Sequence, residues 1–85
     1  MMRFFAEVNI MPLKEILDPQ GKAVKLGLEN LGVHQISDVR IGKRITLALE
    51  AATEAEAEEK VNTACQKLLA NLIMESYNYQ ISVLA

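Results

Sequence analysis

The chain has 85 residues, of which 51% are hydrophobic and 24% charged, and its formal net charge is −2. A chain of this length buries only about 60–65% of the surface it exposes when unfolded, so its core is thin. The acidic balance argues against general affinity for nucleic acid or for an anionic membrane surface. We therefore expect residues 1–85 to form a single globular domain without a nucleic-acid or membrane partner.

The first residues and the cysteine content indicate the compartment. The apolar run "MMRFFAEVNIMPL" is interrupted by Arg3, Glu7 and Asn9, so we expect neither a signal peptide nor a membrane-spanning helix. Cys65 is the only cysteine, which excludes an internal disulfide and is typical of a reducing compartment. We predict a cytoplasmic protein.

The first predicted element is a β-strand. Its apolar side chains recur at every second position, at Phe4, Ala6, Val8 and Ile10. This period of two indicates a strand with one buried face. Pro12 has no amide hydrogen to donate to a neighbouring strand, so the strand is expected to end there.

A helix is predicted to follow. Asp18 is a suitable N-cap, and Pro19 suits the first helical position because its missing donor would be unpaired there in any case. Gly32 supplies a left-handed residue just past the end. The apolar stripe consists of Val24, Gly27, Leu28 and Leu31. Since Gly27 costs roughly 1 kcal/mol of helix stability relative to alanine, its position on this stripe indicates close approach to another part of the structure.

A second helix is predicted from Thr53 onwards. Thr53 and Glu56 have the spacing of a capping box, and the acidic residues 54–59 suit the positive end of the helix dipole. The apolar stripe consists of Ala57, Val61, Ala64, Cys65, Leu68 and Leu69. Asn71 is the expected terminator. The final segment, "SYNYQISVL", alternates again and predicts a last strand.

The middle segment, "SDVRIGKRITLALE" (residues 37–50), allows two interpretations. It is either one long strand that bends at Gly42, which we favour, or two strands joined by a loop at residues 41–43. The element order is then β-α-β-α-β or β-α-β-β-α-β. Either order predicts an α+β fold, a two-layer sandwich with an antiparallel sheet of three or four strands and two helices on one face.

The sequence contains no recognisable reactive constellation. His34, the only histidine, lies in a connection, and Cys65 lies on an apolar stripe, where a buried structural thiol is expected. There is no phosphate-binding glycine motif. An RNA-recognition sheet needs aromatic residues on its open face, where this chain has Arg40, Arg44 and Thr46. We therefore predict no catalytic, cofactor-binding or metal-ligating residue.

More apolar residues are present than the two helices can cover. They are Met11, Leu13, Ile16, Leu17, Leu26, Leu72, Ile73 and Met74. Exposed sheet edges and large apolar patches are normally covered. Together with the absence of chemistry, this surplus predicts a self-associating binding or assembly domain.

Three segments, "LKEILDPQGKAV", "VRIGKRITL" and "KLLANLIMESYNY", together with the leading strand, resemble the PurS family. This family forms the small subunit of phosphoribosylformylglycinamidine (FGAM) synthase in bacteria and archaea. The similarity extends over nearly the whole chain in the same order. One departure is Leu72, where family members often have a proline after the asparagine.

The resemblance implies a non-catalytic assembly subunit in purine biosynthesis, acting as a homodimer or homotetramer. It would bridge the glutaminase subunit PurQ and the synthetase subunit PurL, so that glutamine-derived ammonia reaches formylglycinamide ribonucleotide. ATP and Mg²⁺ would be bound by PurL and not by this chain. The alternative that we weigh is a homo-oligomeric regulatory domain that binds a small molecule.

The motifs also imply a set of interface residues. They are Lys14, Asp18, Gln20, Gly21, Arg40, Gly42, Lys43, Arg44, Asn71, Glu75 and Tyr77. Asp18 has a sufficient structural explanation as a helix cap. Lys43 interrupts an otherwise apolar strand face, so we expect the cations around Gly42 to contact carboxylates on PurL or PurQ.

Overall fold

The computed structural model describes residues 1–84 and contains three strands and two helices. In chain order they are β1 (Met2–Pro12), α1 (Pro19–Asn30), β2 (Lys43–Ala51), α2 (Glu54–Ala64) and β3 (Glu75–Leu84). The strands form one antiparallel sheet in the order β2-β1-β3. None of the described helices has the length and apolar character needed to cross a membrane. The predicted α+β class and the β-α-β-α-β order are confirmed.

The predicted first strand is the centre of the sheet and of the core. Its alternating apolar side chains, Phe4, Ala6, Val8 and Ile10, are at most 1% exposed. The register continues this face onto both neighbours, because Phe4 pairs with Leu49 of β2 and with Val83 of β3. The other face carries the polar residues of the alternation and is not covered by a helix.

The helix α2 covers the apolar face of the sheet and begins as predicted. The Thr53 hydroxyl accepts a hydrogen bond from the Glu56 N–H (3.2 Å), and the Glu56 carboxylate accepts one from the Ala52 N–H (3.2 Å). Of its predicted stripe, Ala57, Val61 and Cys65 are buried against β1 and β2, but Leu68 is 82% exposed, contrary to the prediction. A π-helical turn, Cys65–Leu69, extends α2.

The helix α1 is capped as predicted but packs differently from α2. The Asp18 carboxylate accepts a hydrogen bond from the Gly21 N–H (2.9 Å), and Gly21 is the only buried residue of the helix. The stripe is largely open, with Val24 42% and Leu31 80% exposed. Two helices are present as predicted, yet within one chain α2 alone covers the sheet.

The middle segment corrects the prediction of one long strand bent at Gly42, and the two-strand alternative is also wrong. Residues 33–42 form no strand, and β2 begins only at Lys43. The Ile41 N–H donates to the Asp18 carboxylate (2.8 Å), and the Arg40 guanidinium donates to the Pro12 carbonyl. The backbone just before Gly42 is therefore fixed by a helix cap and not by a neighbouring strand.

The molecule is elongated. Its principal extents are 52 × 29 × 14 Å and its radius of gyration is 16.7 Å. A compact domain of this length has a radius of gyration of about 12 Å. The chain therefore leaves an unusually large share of its surface uncovered.

Candidate partner interface

One end of the sheet brings most of the predicted site residues together. The C-terminal end of β1 meets the N-terminal ends of β2 and β3 there, with Pro12 beside Glu75 and Ile10 beside Lys43. Asp18 lies in the wall of three clefts at this end. We call this region the Asp18 end, and its predicted members are Lys14, Asp18, Gln20, Gly21, Arg40, Gly42, Lys43, Asn71 and Glu75.

Asp18 joins α1 to the segment that leads into β2. One carboxylate oxygen caps the helix at the Gly21 N–H, and the other accepts from the Ile41 N–H. These two bonds, with a smaller contribution from the Arg40 charge, hold the pKa of Asp18 below its ordinary value. The ionised carboxylate thus fixes the geometry of the loops around it, which agrees with its predicted role as a cap.

Two glycines allow the backbone to pack closely at this end. A Cβ atom on Gly21 would collide with the Val39 carbonyl oxygen, and one on Gly42 would collide with the Ile10 carbonyl oxygen and the Met11 sulfur. Since neither glycine has a positive φ angle, space and not backbone conformation requires glycine at these positions. Both glycines therefore have a structural role whether or not they touch a partner.

Glu75 connects the start of β3 with the start of β2. One of its carboxylate oxygens accepts from the Asn71 N–H (2.8 Å), and the other lies 3.7 Å from the Lys43 ammonium. The Asn71 carbonyl accepts in return from the Glu75 N–H (2.6 Å), which closes the turn that contains Leu72. Lys43 breaks the apolar pattern of its strand because it faces a carboxylate on the same side of the sheet.

The largest cleft of this end carries mixed charge and encloses about 560 Å³. Its charged lining residues are Lys14, Glu15, Asp18, Lys22, Asp38 and Arg40. Glu15, Lys22 and Asp38 were not predicted as site residues from the sequence. Lys22 lies four residues after the cap Asp18, and residues with this spacing lie on the same side of a helix, which was the one sequence signal that could have placed Lys22 near Asp18. Asp38 lies in the irregular segment, where no periodic pattern applies.

Arg44 and Tyr77 do not belong to the Asp18 end. Arg44 lies on the open face of the sheet, 3.3 Å from the Glu7 carboxylate, and donates to the Asn9 side chain (3.0 Å). The Tyr77 hydroxyl donates to Asn62 of α2 (2.6 Å), and its ring stacks on Tyr79 at a centroid distance of 6.5 Å. Both side chains are engaged within the chain.

The side chains with reactive potential are dispersed. Burial raises the pKa of the Cys65 thiol, which keeps it protonated, as expected for a structural cysteine. His34 is exposed in the segment before β2. Among residues 1–84 no three His, Cys, Asp or Glu side chains are placed to hold a metal ion.

A small α+β domain with a charged, glycine-lined end and an elongated shape has the properties of a binding or assembly module. The family model described as "PurS: Phosphoribosylformylglycinamidine (FGAM) synthase" matches residues 5–83. The chain belongs to the PurS family.

Individual relatives agree with this assignment. A Synechocystis FGAM synthase subunit PurS is 49% identical over 69 residues, which cover 81% of this chain and 69% of the relative. The solved structure of Thermus thermophilus PurS has a TM-score of 0.86 at 40% identity and covers 98% of this chain and 99% of that chain. A chain of the Thermotoga maritima PurLQS structure has a TM-score of 0.83 at 28% identity, covering 99% of this chain and 100% of the other.

Proposed function

We propose that this chain is the non-catalytic assembly subunit of FGAM synthase in purine biosynthesis. It bridges the glutaminase PurQ and the synthetase PurL so that glutamine-derived ammonia reaches formylglycinamide ribonucleotide. The observation that carries the proposal is the family match over residues 5–83, joined to full-length similarity with a chain of a PurLQS structure. The alternative of a small-molecule-binding regulator is not favoured.

The proposed division of labour among the subunits is the one that the family resemblance implies. In this proposal PurL binds ATP, Mg²⁺ and the nucleotide substrate, and PurQ hydrolyses glutamine. This chain contributes surface and works as a homodimer or homotetramer in the cytoplasm. Its scattered ionisable groups suit recognition, because charged pairs across an interface set orientation and association rate.

We propose the Asp18 end as the surface that meets a larger subunit. Arg40 and Asp18 hold the loops in place, and Gly21 and Gly42 let them pack closely. Lys14 is exposed, and the Lys43 side chain is 54% exposed beside Glu75. These two lysines, with the exposed Lys22 in the lining of the same end, are therefore the cations available to carboxylates on a partner.

A reconstitution with purified PurL and PurQ tests both statements. Omitting this chain should abolish glutamine-dependent turnover and leave the ammonia-dependent turnover of PurL unchanged. The double variant Lys14→Glu and Lys43→Glu should raise the concentration of this chain needed for half-maximal glutamine-dependent turnover at least tenfold, with its homo-oligomeric mass unchanged.

The control is Arg3→Gln near the other end of β1, where Arg3 pairs with Glu50 and Leu84, because glutamine removes the charge without placing a second carboxylate opposite Glu50. It should leave the half-maximal concentration unchanged. Equal behaviour of the control and the lysine variant would remove the Asp18 end from the interface. The assembly function itself fails only if glutamine-dependent turnover persists without the chain.

A further inference from the structure

The helix α1 and the irregular segment that follows it, residues 33–42, extend beyond the rest of the chain. Gly21, in the first turn, is the only buried residue of α1, and the helix makes no extensive contact with the sheet or with α2. A strand as long as β1 spans about 36 Å and a helix as long as α1 about 18 Å. The longest dimension of the molecule, 52 Å, is close to the sum of these two lengths, so α1 continues past the end of the sheet.

The helix and the returning segment contact each other at two places. The Lys25 ammonium donates to the Ser37 carbonyl (3.3 Å), and the Val39 carbonyl oxygen lies where a Cβ atom on Gly21 would collide with it. These contacts lie on successive turns of α1. We call residues 19–42 the arm, because the outgoing helix and the returning segment are joined into one piece.

The arm is attached to the rest of the chain at its base. Among residues 1–84, every hydrogen bond between the arm and the rest of the chain ends at Pro12 or at Asp18. The bond to Pro12 comes from the Arg40 guanidinium. A segment with little buried apolar surface opens locally at a lower free energy than the core of the same protein. The arm is therefore the part of the chain that moves most easily.

Asp18 is, among the described residues, the one side chain that accepts hydrogen bonds from both halves of the arm. One carboxylate oxygen accepts from the Gly21 N–H (2.9 Å), where the helix leaves, and the other accepts from the Ile41 N–H (2.8 Å), where the returning segment arrives. Hydrogen bonds to a charged acceptor are about twice as strong as those between neutral groups. Because Ile41 lies 23 residues after Asp18, its bond closes the base of the whole arm.

We propose that residues 19–42 turn as one rigid arm about their base and that the Asp18 carboxylate, through its bond to Ile41, is the latch that fixes the angle of the arm. Opening breaks the bond between Asp18 and Ile41 and leaves the contacts inside the arm and inside the sheet intact. The hinges are the two chain connections at the base, at residues 17–19 and 41–43.

The latch controls the spacing of the cations at the Asp18 end. Lys14 precedes the base, whereas Lys22 lies on the arm, and both line the same cleft. A change in the angle of the arm therefore moves Lys22 relative to Lys14 without unfolding the helix or the sheet. This inference goes beyond the proposed function and does not depend on it, because the angle of the arm is a property of the chain itself.

Distances between spin labels test the latch and the rigidity of the arm separately. His34 lies in the returning segment, Gln80 on β3 and Ala23 on α1, and all three residues are exposed. One label pair, His34→Cys with Gln80→Cys, reports the distance from the arm to the sheet, and the other, His34→Cys with Ala23→Cys, reports a distance within the arm. Cys65 is buried and is not labelled. Each labelled chain is mixed with an excess of unlabelled chain, so that the distances arise within one copy.

The variant Asp18→Asn removes the latch and keeps the helix cap. Asparagine is as good an N-cap as aspartate, but one of its two polar side-chain atoms belongs to an NH2 group, which cannot accept from the Ile41 N–H. Ile41→Pro removes the donor of the same bond and leaves Asp18 unchanged. The matched control is Thr53→Asn, because it also places asparagine at a helix cap, in the helix that lies on the sheet.

We expect Asp18→Asn and Ile41→Pro each to broaden the distribution of arm-to-sheet distances at least twofold and to leave the distribution within the arm unchanged. Thr53→Asn should change neither distribution. An unaltered arm-to-sheet distribution in either folded variant would overturn the latch, and equal broadening for the two label pairs would overturn the rigid arm. Equal broadening by Thr53→Asn would assign the effect to a general loss of stability and would also overturn the proposal. If one of the two latch variants fails to fold, the other decides.

Discussion

The two helices have similar apolar stripes, but the two stripes differ in how far they are buried within the chain. Most of the stripe of α2 is buried on the sheet, with Ala57, Val61 and Cys65 at most 1% exposed and only Leu68, in the π-helical turn, exposed at its end, whereas the stripe of α1 is open along the helix from Val24 to Leu31. Both helices have a working N-cap, at Thr53 and Asp18. The comparison teaches that a periodic stripe identifies a surface to be covered without identifying which molecule covers it.

The largest difference between the helices is expected in the free energy of unfolding when one valine of each stripe is replaced by alanine. Val61→Ala removes two buried methyl groups from α2 and should lower the free energy of unfolding by about 2 kcal/mol at any protein concentration. Val24→Ala, on the stripe of α1, should act through association, so that its cost disappears on dilution to the monomer. Urea denaturation at several protein concentrations measures both, and a cost of Val24→Ala that persists in the monomer would contradict the comparison.

The helix caps give a smaller effect. Thr53→Ala removes the acceptor for the Glu56 N–H and should cost about 1 kcal/mol. Serine at the same position retains the hydroxyl group and should restore most of the loss. Thermal unfolding of the two variants at one protein concentration is the measurement, and equal losses for alanine and serine would show that the hydroxyl is not the cause.

The cap of α1 is a carboxylate, so its contribution to stability should depend on pH, unlike that of the Thr53 hydroxyl. Because the folded-state pKa of Asp18 is lowered, its charge stabilises the fold above the ordinary carboxyl pKa of about 3.9, and this stability is lost as the pH falls through the folded-state value. Asp18→Asn should therefore be less stable than the unaltered chain at pH 7, with the difference shrinking below about pH 4. Unfolding midpoints from pH 7 to pH 3 test this, and a constant difference would contradict it.

The smallest effect on stability is expected from the ion pair between Lys43 and Glu75. The Lys43 ammonium nitrogen lies 3.7 Å from a Glu75 carboxylate oxygen, and the two side chains are 54% and 24% exposed. An exposed pair of this kind contributes little, so Lys43→Ala should change the free energy of unfolding by less than about 0.5 kcal/mol. A larger loss would mean that Lys43 has a structural role and is a poor choice as a partner-binding group.

The parts of the fold predicted from the sequence are those with local signals. The strand β1, the cap at Asp18 and the capping box at Thr53 each follow from a few neighbouring residues. The start of β2 could not be predicted, because it depends on a bond between Asp18 and Ile41, which are 23 residues apart. The pairing of Lys43 with Glu75 crosses three strands and was equally inaccessible to sequence patterns.

The candidate site divides in the same way. Nine predicted residues gather around Asp18, since their motifs lie in loops that the sheet brings to one end. Arg44 was predicted as one of the cations around Gly42, but alternation with Lys43 places it on the open face of the sheet, beside Glu7. Tyr77 was predicted from the third motif and shares a face with Glu75, but its hydroxyl is engaged by Asn62 of α2. A motif therefore located the region, and only the structure showed which side chains are available for contact.

We have proposed that this chain supplies surface and no chemistry to FGAM synthase. The most direct measurement is glutamine-dependent turnover of formylglycinamide ribonucleotide by PurL and PurQ with and without the chain, with ammonia-dependent turnover recorded in parallel. We expect the first rate to require the chain and the second to be indifferent to it. Full glutamine-dependent turnover in its absence, or turnover by the chain alone, would contradict the account.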